Sequence, residues 1–409
     1  MSALERVTVV AQHIKHYALV AAGGVGLTGS RALAGPLNAQ IGIADPCNHR
    51  CVFCRDHPPE GRESERTANR FGGERAGIMS LEQFQQVVDD LHRMGTRRID
   101  LIGRGEPLLN SAALEMIRYA KRKKMQLSLI TNGSRLSEEF ARGFVEAGID
   151  HVNVSLNAGT AESYPDIHVT ETPENWRRVV RNVRYLSDAK RAAGARAPIV
   201  RFSFVITSKN YRDLERMVQV AGEAGTQEAY FAHVVLQDAT PDLALTPDQY
   251  RELQALIPVA MTTAKTAGVA TDLATFGASA PSYMEQEVVG SSVVPCYAGW
   301  YFTVILGNGT VLPCCQCNEP VDTLKPGHGL VEIWDSPRYR EFREAARNLP
   351  TPSPRLMSCE CGECQLRPRN IAIHNLLHPL NRLEAGGDVK SFTPANIVRR
   401  LFGRTSDLT

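Results

Sequence analysis

The chain has 409 residues, too many for one core of ordinary size, so two units or one barrel with additions are expected. Its 43% hydrophobic and 22% charged residues are ordinary for a soluble globular protein, and a net charge of +2 gives no general pull toward nucleic acid or membrane. Nothing reads as an export signal, and no apolar run reaches the ~18 residues of a spanning helix.

Residues 1–38 form an N-terminal extension. Its stretch 16–36 is mildly apolar but broken by glycines, which predicts a helix and loop covering the end of a sheet, with a weak interfacial anchor as the alternative. From residue 39 the pattern alternates short apolar runs with amphipathic stretches. Strands are predicted at 39–45, 97–103, 125–131, 150–156, 198–207 and 228–235, and helices at 80–94, 110–124, 136–147, 173–194, 210–224 and 246–266. Ser80, Asn110 and Ser137 stand where N-caps belong. Six strand–helix units in strict alternation imply an α/β fold with a parallel sheet covered by helices. Periodicity leaves open whether that sheet is doubly wound or a complete or partial barrel.

The basic run 121–124 reads as the solvated end of a helix. Residues 55–79 are polar and rich in Gly, Pro and Arg, a loop long enough to be either a mobile cover or a passive insertion. After residue 270 the rhythm changes. Residues 301–315 read as a β-hairpin turning at Asn308–Gly309, and 330–348 as a strand end followed by a helix. The expected division is thus 1–38, a strand–helix unit 39–270, a smaller cysteine-bearing unit 290–370 and a helical tail 371–409. In that tail His374 and His378 lie at i, i+4, a spacing read as a helix packing on its neighbour, and 396–409 is short, basic and amphipathic.

The ten cysteines fall into two groups: 47, 51 and 54, then 296, 314, 315, 317, 359, 361 and 364. Clustering in a long chain without an export signal argues for metal in a reducing cytoplasm rather than for disulfides. Cys47, Cys51 and Cys54 follow the first strand, so their loop hangs at the C-terminal mouth of the sheet, where parallel α/β proteins do their chemistry. Three thiolates can hold three irons of a four-iron cluster and leave the fourth open. Zinc is the rival, with His49 or His57 completing a Cys3His set.

The C-x3-C-x2-C run, placed directly after the first strand of a strand–helix series, resembles the radical S-adenosylmethionine superfamily. The resemblance implies a partial (β/α)6 barrel of TIM type whose open iron binds the methionine end of S-adenosylmethionine. Phe53 matches the aromatic residue before the third cysteine. "GRGEP" at 103–107 resembles the family's G-G-E-P segment, with Arg104 as a departure; Gly103, Gly105 and Glu106 would contact the cofactor's amino group. "TNGS" at 131–134 and "SLNAG" at 155–159 follow the third and fourth strands, and Ser155 and Asn157 would face the cofactor carboxylate and ribose. Arg201 and Asn210 are further candidates around the fifth strand.

Cys296 and Cys314, with Gly309 between them, resemble the opening of the SPASM and twitch extensions. The ending "CECGEC" at 359–364 departs from the full SPASM pattern. The resemblance implies one auxiliary four-iron cluster held by Cys296, Cys314, Cys361 and Cys364, with Cys359 as a substitute ligand and a second cluster as an alternative. Cys315 and Cys317 are candidate hydrogen-atom donors, and His233, at the end of the sixth strand, a candidate substrate contact.

The implied function is reductive cleavage of S-adenosylmethionine, hydrogen abstraction by a 5′-deoxyadenosyl radical, and oxidation or epimerisation of a small, carbohydrate-like alcohol in the cytoplasm. A flavodoxin or ferredoxin would donate electrons. Peptide modification is the alternative, although 38 residues before the first strand are few for a leader-binding domain. From another class, the chain could be a non-catalytic iron–sulfur or zinc scaffold. Nucleic acid is not an expected partner, for want of a concentrated basic face.

Overall fold

The computed structural model describes residues 3–63, 77–285, 294–361, 364 and 366–378. The middle of the 55–79 loop and the tail from 379 onward, including the amphipathic stretch 396–409, lie outside the described residues.

Six parallel strands appear where the alternation placed them: β1 Asn38–Ile41, β2 Arg98–Leu101, β3 Gln126–Thr131, β4 His151–Ser155, β5 Ile199–Ile206 and β6 Glu228–His233. The intervening helices are Leu81–Arg93, Ala113–Arg122, Glu138–Ala147, Pro173–Ala192, Leu214–Glu223 and Pro247–Ala267. Along each strand alternate residues are buried, and those of β1 to β5 join one apolar core beneath the helices. The opposite face of each strand carries Asn38, Gln40, Asp100, Gln126, Asn153 and Ser155, so it lines a polar lumen rather than a second core.

Ser80 and Ser137 accept from Gln83 N–H and Phe140 N–H as expected N-caps. Asn110 does not cap, because its helix begins at Ala113. Its carboxamide instead donates to the Ile43 and Met79 carbonyls, at 2.8 and 2.9 Å, and so ties the chain after β1 to the GRGEP segment.

With β7 Ala270–Thr271, β8 Phe302–Ile305, β9 Thr310–Leu312 and β10 Asp322–Thr323, the sheet order is β10-β9-β8-β1-β2-β3-β4-β5-β6-β7. Strands β1 to β7 lie side by side in chain order, all parallel, with β7 only Ala270–Thr271. A doubly wound sheet would reverse its order at a switch point. None occurs, so the winding is that of a barrel, and it is left open.

The hairpin forms as read, with β8 Phe302–Ile305, β9 Thr310–Leu312 and Gly309 at φ 86° in the turn. It does not found a separate sheet. β8 pairs parallel with β1, Ala39 opposite Thr303 and Ile41 opposite Ile305, so the cysteine-bearing unit extends the barrel sheet. The strand end expected near 330 is helical instead, as Leu330–Trp334 and then Pro337–Arg347.

The N-terminal helix Ala3–Gly24 covers the N-terminal edge of this sheet. His16 reaches the carbonyls of Gly35 and Gly95, both at 2.8 Å, and Val20 packs with Trp300. Among the described residues no helix is long and apolar enough to cross a membrane.

Candidate functional site

Asp45 fixes the entry to the first cysteine loop. It is wholly buried, and its carboxylate accepts from Gly77 N–H (2.9 Å), Gly307 N–H (3.0 Å) and Asn308 N–H (3.2 Å). The start of the cysteine loop is therefore pinned to the β8–β9 turn. Two glycines let the GRGEP segment press against it. A Cβ on Gly105 would lie 2.2 Å from the carbonyls of Asp45 and Pro46, and one on Gly103 would lie 2.6 Å from the Cα of Gly42. Gly103 and Gly105 are thus explained by this close approach of backbones.

Glu106 is 2% exposed and serves as a hub. One oxygen accepts from Thr131 Oγ1 at 2.6 Å and Leu108 N–H at 3.0 Å, the other from Asn132 N–H at 2.7 Å. TNGS is therefore more than a turn: it clamps the carboxylate. Asn132 also donates to Asn48 Oδ1, and Asn48 to Ser134 Oγ, both at 2.9 Å, which links the clamp to the cysteine loop. A carboxylate has about four acceptor sites, so one remains for an outside donor.

Cys47, Cys51 and Cys54 are gathered at this mouth. Burial pushes the Cys47 thiol up to about 11 and Cys51 well above its ordinary value; Cys54 adds to both, and Cys47 adds to Cys51. Such a set is costly as bare thiolates and becomes favourable once cationic iron replaces the protons. The zinc alternative fails on its fourth ligand. His57 directs Nε2 to the Asp45 carbonyl at 2.7 Å. His49 is buried against Tyr164 and His168, and burial lowers its pKa to about 4. Its 3.5 Å approach to Glu171 is therefore not an ion pair near neutral pH. Among the described residues no three His, Cys, Asp or Glu side chains converge on a single metal-ion position. The donor sets suit multi-iron clusters rather than one ion.

His168 was not visible in the sequence as a site residue. Its Nδ1 lies 3.1 Å from Cys51 Sγ and its Nε2 lies 3.2 Å from the Leu156 carbonyl. Burial holds the ring neutral, with its pKa down to about 3. Nε2 must donate to the carbonyl, so Nδ1 is the acceptor facing the thiol.

The remaining expectations divide. Phe53 packs against Val52, Ile167, Val234 and Leu243 beside the loop. Ser155 ends β4 on the lumen side. Asn157, at φ 56°, accepts from Val205 N–H through Oδ1 at 2.9 Å, and Asn210 donates to the Asn157 and Val205 carbonyls. Both asparagines thus brace the turn after β4. Arg201 is drawn away from the mouth: it sits early in β5, paired with Glu228 and over the Tyr230 ring. His233 stacks on Phe276 at 4.2 Å and lies 2.9 Å from the Ser279 carbonyl through Nε2.

In the second group Cys296, Cys314, Cys359, Cys361 and Cys364 all line one small cavity. Burial pushes Cys296 up to about 12 and Cys361 to about 11. Cys317 and Cys359 are joined as a disulfide. In that state Cys317 has no S–H to give and Cys359 no thiolate to lend, so both roles belong to the reduced pair. Cys315 stays a free thiol. The His374–His378 helix packs as expected, with His374 Nδ1 2.8 Å from the Tyr297 hydroxyl.

Two arginines join the cysteine groups. Arg55, next to Cys54, donates to Gln316 Oε1 at 2.6 Å and pairs with Glu360. Arg104 donates to Asn318 at 3.2 Å and lies 3.7 Å from Asp56. The departure from G-G-E-P at 104 thus serves the contact between the two units.

Residues 42–221 match the Radical SAM superfamily and residues 296–365 the SPASM iron–sulfur cluster-binding domain. The chain is 30% identical over 190 residues to a probable GTP 3′,8-cyclase of Thermococcus kodakarensis, covering 46% of this chain and 54% of that protein, about half its length. It is 24% identical over 347 residues to the tungsten-containing aldehyde ferredoxin oxidoreductase cofactor-modifying protein of Pyrococcus furiosus, covering 80% and 86%. Among solved structures, Streptococcus suis SuiB bound to S-adenosylmethionine superposes with a TM-score of 0.55 at 16% identity, over 81% of this chain and 72% of that one. Native anSMEcpe with bound AdoMet gives a TM-score of 0.53 at 16% identity, over 77% and 85%. The chain therefore belongs to the radical SAM superfamily as an enzyme carrying a C-terminal SPASM domain, with S-adenosylmethionine and four-iron clusters as its cofactors.

Proposed function

We propose that this enzyme oxidises a small-molecule alcohol to a carbonyl, removing a hydrogen atom from carbon, then one further electron, with the hydroxyl proton released to solvent. When bound, S-adenosylmethionine and the clusters supply the 5′-deoxyadenosyl radical and an acceptor for that electron. Cys47, Cys51 and Cys54 hold three irons, and the spare acceptor site on Glu106 receives the cofactor ammonium. Cys296, Cys314, Cys361 and Cys364 form a closed donor set, suited to passing electrons rather than to binding substrate. The observation that carries the reading is Arg55, which links the loop of the first thiol group to residues between the cysteines of the second. A reductant protein of the flavodoxin or ferredoxin class supplies the first electron.

Anaerobic reconstitution with dithionite and S-adenosylmethionine tests this. About eight irons per chain and 5′-deoxyadenosine are expected. Zinc in place of iron, with no cofactor cleavage, would make the chain a scaffold. Glu106→Gln should weaken S-adenosylmethionine binding about tenfold by titration calorimetry, because an amide NH2 would confront N–H and O–H donors already pointing at this site.

Epimerisation is the second reading, favoured by the free thiol of Cys315. In D2O an exchanged thiol would return deuterium to the substrate carbon, whereas oxidation leaves that carbon without it. Peptide modification is the rival substrate class: SuiB has been solved with its precursor peptide SuiA, and anSMEcpe with the Kp18Cys peptide.

A further inference from the structure

A cavity of ≈ 1090 Å³ opens at the N-terminal edge of the sheet, on the side opposite the first cysteine loop. Packing leaves few voids larger than a water molecule, whereas this volume is of ligand size. The N-terminal helix forms one wall through Tyr17, Leu19 and Val20. Lumen residues at the starts of β1 to β3 form another, and Trp300, Tyr301 and Phe302 add an aromatic side. Cys315 lies in the lining, so the cavity reaches the second thiol group.

Three features define what would fit. The first is charge. Among the described residues, Lys15, Arg93, Arg97, Arg98, Lys124 and Arg369 line the cavity against one carboxylate, Asp100. Asp100 is already engaged by Asn38 Nδ2 at 2.7 Å and has Arg98 Nε at 3.6 Å. A cleft lined mostly by one sign concentrates its field on an opposite charge. The second is a vacant acceptor: Asn38 Oδ1 is buried in the lining and has no hydrogen-bond partner. Buried acceptors are normally satisfied, and a ligand hydroxyl would satisfy this one. The third is the apolar and aromatic remainder of the wall, which needs an apolar surface against it.

We infer that this cavity binds a hydroxylated organic anion with an apolar portion. Arg98 and the neighbouring cations receive the anionic group, Asn38 Oδ1 accepts from the hydroxyl, and the aromatic wall covers the apolar portion. The inference does not rest on the function proposed above: the cavity lies at the opposite end of the strands from the first cysteine loop, so its occupant is a ligand other than the molecule that gives up hydrogen there.

The test is titration calorimetry on the reconstituted full chain with two probes, 6-hydroxynaphthalene-2-sulfonate and its uncharged counterpart 2-naphthol. The sulfonate should bind at least about tenfold more tightly. That preference should shrink to less than about threefold in Arg98→Gln, and Gln40→Trp, which fills the lumen, should abolish binding of both. No binding of the sulfonate, equal affinity for the two probes, or a preference untouched by Arg98→Gln would each overturn the inference. The wild-type comparison decides even if a variant fails to fold. Because the readout is binding, a chain that makes no 5′-deoxyadenosine can still pass this test, and one that makes it can still fail.

Discussion

Replacing Cys54 by alanine should leave about half the iron in the reconstituted protein and no detectable 5′-deoxyadenosine. Two thiols cannot hold a four-iron cluster with an open iron, and among the described residues neither nearby histidine substitutes. His57 is committed to the Asp45 carbonyl, and His49 is buried against Tyr164 and His168. The second thiol group is built from other elements and should keep its iron. Cys364→Ala should show the converse: about half the iron lost, 5′-deoxyadenosine still formed, and oxidised product absent. Iron analysis with chromatography of the cleavage product distinguishes the two. Normal cleavage by Cys54→Ala would mean that this thiol is not a ligand.

Asp45→Ala should cost about 3–5 kcal/mol of stability, read as a lower unfolding midpoint, and should reduce iron retention at both thiol groups. The substitution strands the N–H groups of Gly77, Gly307 and Asn308 in a site where Asp45 itself is wholly buried. Each stranded donor costs roughly 1–3 kcal/mol, reduced where water enters. Asp45→Asn keeps one acceptor oxygen and should lose about half as much. The loss should spread to both units because the carboxylate joins the first cysteine loop to the β8–β9 turn. An Asp45→Ala protein of unchanged midpoint would remove that role.

The strand–helix succession was legible in advance because its signals are local, whereas the barrel winding needed the strand order. Alternating burial in β1 to β6 and the helix periodicity between them are read within a dozen residues. The Cys47–Cys54 loop was legible for the same reason, since its three cysteines lie close together in the chain. Gly103, Gly105 and Glu106 were recognisable as a motif. Their physical basis was not: the glycines make room for the carbonyls of Asp45 and Pro46, and the carboxylate is clamped by the TNGS segment.

Arg201 shows where local reading misleads. It lies in a strand of the right barrel, but a strand has two ends and only the C-terminal one faces the cysteine loop. Early in β5, it pairs with Glu228 on the neighbouring strand instead. Cys317 poses a different problem, because its partner Cys359 lies 42 residues away and no spacing rule distinguishes a hydrogen-donating thiol from a disulfide half.

Sequence alone determined the strand–helix succession, the thiol loop at its mouth and the presence of a second cysteine group. Tertiary structure decided how these meet. β8 adds to the free edge of β1, which brings Gly307 and Asn308 to Asp45, and the same fold brings Gln316 and Glu360 to Arg55. The reason is physical: periodicity and capping act between near neighbours along the chain, whereas an open sheet edge offers the same backbone donors and acceptors to any strand, so only the packing of the whole chain selects its partner.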